Sequence, residues 1–259
     1  MQKETFIKQY AAGLNPQQLA AVQAVHGPVL LLAVPGSGKT TVLVTRLGYM
    51  VLCCDVPPAQ ILTMTYTVAA THEMRGRFAA RFGAELAGQM TFRTINGLSA
   101  VILQYYSRVY GRRQPELLTN EGDITRMLTD IWQQVNREFP TESTLKDLRT
   151  AITYIKNMAL ADEEIEGLET DLANLPELYR RYQAALKRAG QMDYDDQMVF
   201  ALQILRAAPP VLGYFQQRYR YFCVDESQDT SKIQHEIIRL LAGRSLNLFM
   251  VGDEDQSIY

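Results

Sequence analysis

The run Val29–Leu30–Leu31–Leu32–Ala33–Val34–Pro35–Gly36–Ser37–Gly38–Lys39–Thr40–Thr41 restricts this chain more than any other stretch. An apolar segment of strand length breaks into Pro and Gly, ends in Gly-Lys-Thr, and is followed by a helix-compatible sequence from Val42 to Met50. Strand, glycine-rich turn and helix in that order make a phosphate-binding loop, because the N–H groups of the turn and of the helix N-terminus converge on phosphate oxygens. Pro35, Gly36, Ser37, Gly38, Lys39, Thr40 and Thr41 are the nucleotide-binding candidates. Lys39 brings charge to the β and γ phosphates, and Thr40 brings a hydroxyl to Mg²⁺. Ala33 stands where the strict pattern has its first glycine. A turn without a ligand would have no use for Lys39 at that point.

The 259 residues suffice for one large or two small domains, and 47% apolar residues supply a core. A net charge of −2 gives no global attraction to nucleic acid, so any DNA contact must come from a local groove. Cys53, Cys54 and Cys223 form neither a disulfide framework nor a zinc spacing, which fits a reducing compartment. No apolar run has signal-peptide or membrane-spanning length, so a cytoplasmic protein without a membrane partner is expected.

Asn15–Pro16–Gln17–Gln18 opens a first helix, with Gln18 placed to close a capping box. Ile61–Thr65 and Met90–Arg93 read as further strands, each followed by a turn and a helix. Strand, turn and helix repeated three times predict a parallel sheet covered on both faces, with Lys39, Thr65 and Thr94 on one rim. From about Tyr110 to Gly190 helical patterns replace strands: Asp123 to Glu138, Leu145 to Met158 and Pro176 to Ala189. The organisation read from this is 1–109 and 190–259 as two parts of one sheet domain, with 110–189 as an all-helical insertion. Arg108, Arg112, Arg113, Arg180, Arg181, Lys187 and Arg188 are candidates for a nucleic-acid groove, against the plainer reading of solvated helix faces. Asp195 and Asp196 suit the first turn of a helix that starts near Asp193.

Tyr221–Phe222–Cys223–Val224 is an apolar strand that ends in Asp225 and Glu226. Such a pair complements a phosphate loop: Asp225 serves as a metal partner alongside Thr40, and Glu226 polarises an attacking water. Leu246 to Val251 supplies one more strand, ending near Asp253, with Gln256 beyond it.

With Asp225–Glu226–Ser227–Gln228–Asp229–Thr230 and Gly252–Asp253–Glu254–Asp255–Gln256–Ser257–Ile258–Tyr259 in view, the chain resembles the N-terminal part of UvrD/Rep-type superfamily-one DNA helicases. The resemblance covers nearly the whole length. Leu14 to Gln18 is similar to the Q motif, the phosphate loop to motif I, Thr65–Tyr66–Thr67 to motif Ia and Thr94 to Leu98 to motif Ib. Asp193–Tyr194–Asp195–Asp196 resembles the acidic-aromatic motif after the insertion, and the two segments above resemble motifs II and III. The fold implied is an α/β RecA-like P-loop NTPase domain with a parallel sheet, interrupted by a helical insertion. The ligands implied are ATP, Mg²⁺ and single-stranded DNA. The resemblance implies that Gln18 reads adenine, that Lys39, Glu226 and Gln256 serve catalysis, and that Gln256 couples the γ-phosphate to DNA. It further implies that Tyr66 and Tyr259 stack on bases while Thr65, Thr94 and Asn96 touch the DNA backbone.

The family usually has Gly at Val34, Arg at Thr41, Asn-Lys at Val68–Ala69 and His-Ser at Asn96–Gly97. Each difference removes a contact to nucleotide or DNA, so weaker affinity for both is expected. Family members also carry a C-terminal RecA-like domain with an arginine finger, worth roughly 10³–10⁵ in rate. Ending within motif III, the chain by itself is expected to turn ATP over slowly and not to unwind DNA. A different P-loop ATPase, or a remnant that binds DNA or nucleotide without hydrolysis, are the alternatives.

Overall fold

The computed structural model describes residues 1–34 and 36–253. Two compact units divide them: Met1–Leu98 with Leu205–Thr230 and 235–253, and Ser99–Ile204 with Ser231–Gln234. The limits of the second unit fall inside the helices Ile95–Tyr110 and Tyr194–Ala207. They are therefore wider than the 110–189 read from composition, because a helix shows no break in sequence where it passes from one unit to the next.

The strands are β1 (Val29–Leu32), β2 (Ile61–Thr65), β3 (Thr91–Thr94), β4 (Glu116–Leu117), β5 (Gln191–Met192), β6 (Tyr221–Val224) and β7 (Leu248–Gly252). In the first unit they form a five-stranded sheet of order β1-β7-β6-β2-β3, parallel at every pairing. Since all five strands run one way, their carboxyl ends share one rim. That rim carries Ala33 after β1, Asp253 after β7, Asp225 after β6, and Thr65 and Thr94 at the ends of β2 and β3. β2 is buried at every position, as an inner parallel strand covered by helices on both faces must be. Capping fixes several helix starts: the Asn15 side chain accepts from Gln18 N for the helix Pro16–Gln23, and Thr67 accepts from Ala70 N for the helix Val68–Phe82.

β1 differs, because among the described residues it is paired on one side alone. Leu30 and Leu32 on β1 and Val34 just beyond it are 59%, 47% and 55% exposed, three alternate apolar side chains along an open edge. An uncovered apolar edge is a template for association between copies. Light scattering over rising protein concentration is expected to show less self-association in a Leu30→Lys, Leu32→Thr double variant. Identical association by the two proteins would contradict this.

The second unit packs the helices Glu121–Asn136, Glu142–Asn157 and Leu175–Ala189 around a core that includes Leu128, Trp132, Leu148, Ile152, Leu178 and Tyr182. β4 and β5 pair in parallel beside it. Arg180 pairs with Glu166 and Glu177, and Arg181 with Glu177, so these two cations are engaged on the helix surface. Among the described residues no single helix is long and apolar enough to cross a membrane.

Candidate functional site

At the end of β1 the chain stays in register for one more residue, Ala33 N donating to Gly252 O at 3.1 Å, and then turns. Gly36 and Gly38 have φ of +76° and +85°, and Gly38 caps the helix Lys39–Cys53. A Cβ at Gly38 would meet nothing closer than Gln18 Nε2 at 3.9 Å, so the left-handed backbone, rather than space, requires glycine there. The Lys39 ammonium reaches back over the loop, 3.1 Å from Ala33 O and 3.3 Å from Asp253 Oδ2. The Lys39 and Asp253 side chains are 11% and 1% exposed. The charge expected to face phosphate is thus held at the rim by the acid that follows β7.

β7 lies between β1 and β6, so the tips of β1 and β6 are two strand spacings apart, about 10 Å. A triphosphate with its metal spans that distance. Asp225, first after β6, is nearly buried, and its Oδ1 has no hydrogen-bond partner. Burial, then the neighbouring Glu226 carboxylate, push its carboxyl up to about 6, while the Glu226 N–H, Lys39 and Arg77 pull the other way. Glu226 is left-handed at φ +50°, a conformation uncommon away from glycine. Gln228 ties the segment together: its Nε2 donates to Glu226 Oε2 at 2.7 Å, and its Oε1 accepts from Asp253 N at 3.0 Å. Gly252 permits this approach, since a Cβ there would lie 2.5 Å from Ser227 Oγ.

These residues fit a magnesium nucleotide. Ser37 Oγ and Asp225 Oδ1 are both buried polar atoms without a partner, and a phosphate loop and a strand-end carboxylate bear them. No group of three His, Cys, Asp or Glu that could hold a metal ion occurs among the described residues. A metal bound by Thr40 and Asp225 would therefore draw its remaining ligands from phosphate and water, as Mg²⁺ does. Gln18 closes its capping box through Oε1, which accepts from Asn15 N at 3.0 Å, and donates from Nε2 to Ser37 O at 2.9 Å. The expected cap and a contact to the phosphate loop are held together in one rotamer. Thr40 is partly buried and Thr41 is exposed.

On the same rim Tyr66 is 57% exposed. The hydroxyl of Thr65 is engaged within its own turn, 2.6 Å from Thr71 Oγ1 and 3.0 Å from Thr67 O. Thr94 Oγ1 accepts from Gly97 N, and Asn96 sits in the first turn of the helix Ile95–Tyr110. Pro35, Gln256 and Tyr259 lie outside the described residues.

A family model described as UvrD/REP helicase N-terminal domain matches residues 14–259. The chain belongs to the UvrD/Rep helicase family. Its α/β body with a central parallel sheet is the RecA-like domain of that family. Similar relatives are the proteins named "ATP-dependent DNA helicase PcrA" of Leuconostoc citreum, 35% identical, Staphylococcus epidermidis, 32%, and Staphylococcus aureus, 31%. In each case 95% of this chain is covered, against 33% of the Leuconostoc relative and 34% of the staphylococcal ones. The chain thus spans about a third of the length of the helicases it matches.

The UvrD/Rep acidic-aromatic segment forms a buried ion cluster in the second unit. Lys156 Nζ lies 2.5 Å from Asp193 Oδ2 and 2.8 Å from Asp196 Oδ1, with the Lys156 side chain fully buried. Asp193 and Asp196 also cap each other's backbone N–H, and Asp195 accepts from Thr153 and Asn157. Dipole complementarity alone understated these acids: Asp193 and Asp196 pair with an internal lysine, and Asp195 is held by Thr153 and Asn157. Lys156, Gln228 and Arg46 are residues that the motifs did not single out. For Lys156 the signal was present: it falls on the row of Leu148 and Ile152, a charge on the apolar face of its helix.

Proposed function

We propose that this chain is the ATP-binding part of a DNA helicase that couples ATP hydrolysis to movement along single-stranded DNA. Residues 1–109 and 190–259 are read as the ATP-binding body and 110–189 as its helical insertion. The remaining two-thirds of a relative's length would supply the C-terminal RecA-like domain that faces this one. The observation that carries the reading is the buried Asp225 carboxylate, whose Oδ1 has no hydrogen-bond partner, on the same rim as the Lys39 ammonium.

In this reading Lys39 leaves Asp253 to neutralise the β and γ phosphates, and Thr40 and Asp225 hold Mg²⁺. When bound, the metal supplies charge stabilisation to the departing phosphate. Glu226, oriented by Gln228, takes the proton of the attacking water, with Gln256 linking that event to DNA. Gln18 retains one N–H and one lone pair after its two internal bonds, a donor and acceptor that suit the adenine edge. Tyr66 offers an exposed ring for stacking on bases, beside Thr65, Thr94, Asn96 and Tyr259. Val34 and Thr41 keep the affinity for nucleotide modest.

Two substitutions made in parallel test this. Lys39→Ala is expected to weaken ATP binding about 50-fold, the scale of a charge-assisted contact to phosphate, with single-stranded DNA binding kept. Tyr66→Ala is expected to weaken single-stranded DNA binding about tenfold with ATP binding kept. ATP affinity unchanged in Lys39→Ala would leave only the non-catalytic remnant.

A further inference from the structure

The helix Pro16–Gln23, which carries Gln18, is eight residues long, too short to hold its shape alone. Both of its ends are tied to the phosphate-loop segment. At its first turn Gln18 Nε2 donates to Ser37 O. At its other end the guanidinium of Arg46 donates from Nη1 to Ala21 O at 2.8 Å and Ala24 O at 2.5 Å, and from Nη2 to Val25 O at 3.2 Å. These are carbonyls that a helix end leaves without an intrahelical partner, and a planar fork satisfies several at once.

Arg46 is 2% exposed, and its Cζ lies 4.3 Å from the centroid of Phe249 on β7. Among the described residues no carboxylate pairs with it; its charge is spent on helix carbonyls, a ring face and the Cys223 thiol, while its Nε has no hydrogen-bond partner. It stands seven residues after Lys39, two turns along the same helix. One rigid element therefore carries the phosphate lysine at its start and the clamp on the Gln18 helix in its middle. A guanidinium desolvated in this way is costly to keep for packing alone, and a methionine of similar length would fill the space. What the fork adds is direction: it fixes where the end of the Gln18 helix sits relative to the loop.

We propose that Arg46 is a positioning residue for base recognition, setting the tilt of the Pro16–Gln23 helix so that Gln18 meets the adenine while the phosphates sit in the loop. This rests on the adenine role proposed for Gln18. Without the fork the loop still binds phosphate, and the base loses its partner.

The test uses the full chain and two probes, ATP and tripolyphosphate, with Kd measured for Gln18→Ala, Arg46→Met and the double variant. Each single variant is expected to weaken ATP about tenfold and leave tripolyphosphate unchanged, and the double variant to be no worse than the weaker single one. Equal loss of both probes in Arg46→Met, or full additivity in the double variant, overturns the proposal. A loss in Gln18→Ala with none in Arg46→Met overturns it too, with Gln18 keeping its role. An unchanged Gln18→Ala removes the adenine role itself, and the proposal with it. Should Arg46→Met fail to fold, Arg46→Lys, which keeps the charge and loses the fork, and Phe249→Leu are read by the same ratio of ATP to tripolyphosphate affinity.

Discussion

Asp225→Asn is expected to make the ligand-free protein more stable at pH 8 while removing the Mg²⁺ dependence of ATP binding. The carboxyl is nearly buried, has an oxygen without a partner, and is held at about 6 instead of 3.8. Its folded-state value lies above the unfolded one, so its favourable contribution is full below about pH 4 and is lost as pH rises through 6. At pH 8 the ionised form destabilises the fold by on the order of 2–3 kcal/mol. Asparagine keeps the shape without the charge, so Tm at pH 8 should rise by about 5 °C. At pH 4, where the aspartate is itself neutral, the two proteins should melt together. Thermal melts at both pH values and ATP titrations with and without Mg²⁺ provide the check. A variant less stable than its parent at pH 8 would mean that the carboxylate has a structural partner, and the metal role would lose its main support.

That same carboxylate shows where sequence reading succeeds and where it stops. A strand that ends in Asp225–Glu226 and a loop that ends in Gly38–Lys39–Thr40 are local patterns, and each forms where expected because hydrophobic runs and glycine punctuation act within a few residues. Strand order is not local. β6 and β7 enter between β1 and β2, so the pairing of Lys39 with Asp253, 214 residues away, follows from topology alone. The apolar run Val29–Leu32 reads as a buried strand, yet Leu30 and Leu32 are exposed, since a run of that kind does not say whether another element covers it. The helices Pro209–Arg218 and Lys232–Ala242 carry no motif of their own and lie between stronger signals. Arg46 and Lys156 shared one cue, a cation on the apolar row of its own helix: Arg46 with Val42 and Met50, Lys156 with Leu148 and Ile152.

Lys156→Met carries the largest expected loss of stability. The lysine side chain is fully buried against Asp193 and Asp196, with Tyr182 Oη donating to Asp193 Oδ2 at 3.1 Å and its ring 5.2 Å from the ammonium. Methionine fills the space, so the loss measures charge and not a cavity. Removing one side of a buried ion cluster leaves the acids desolvated without compensation, typically 3–5 kcal/mol, and a Tm about 10 °C lower. Burial already raises the Asp196 carboxyl despite the opposing pull of Lys156. Without the lysine that rise grows, so the folded state takes up protons more readily as pH falls. The deficit should then be greatest at pH 8 and smaller at pH 5, and Asp196→Asn added to Lys156→Met should restore part of it at pH 8. A Tm unmoved by Lys156→Met would mean that the attraction between these charges only offsets the cost of burying them. The acidic-aromatic segment would then be held by its reciprocal caps and by the bonds from Thr153 and Asn157 to Asp195.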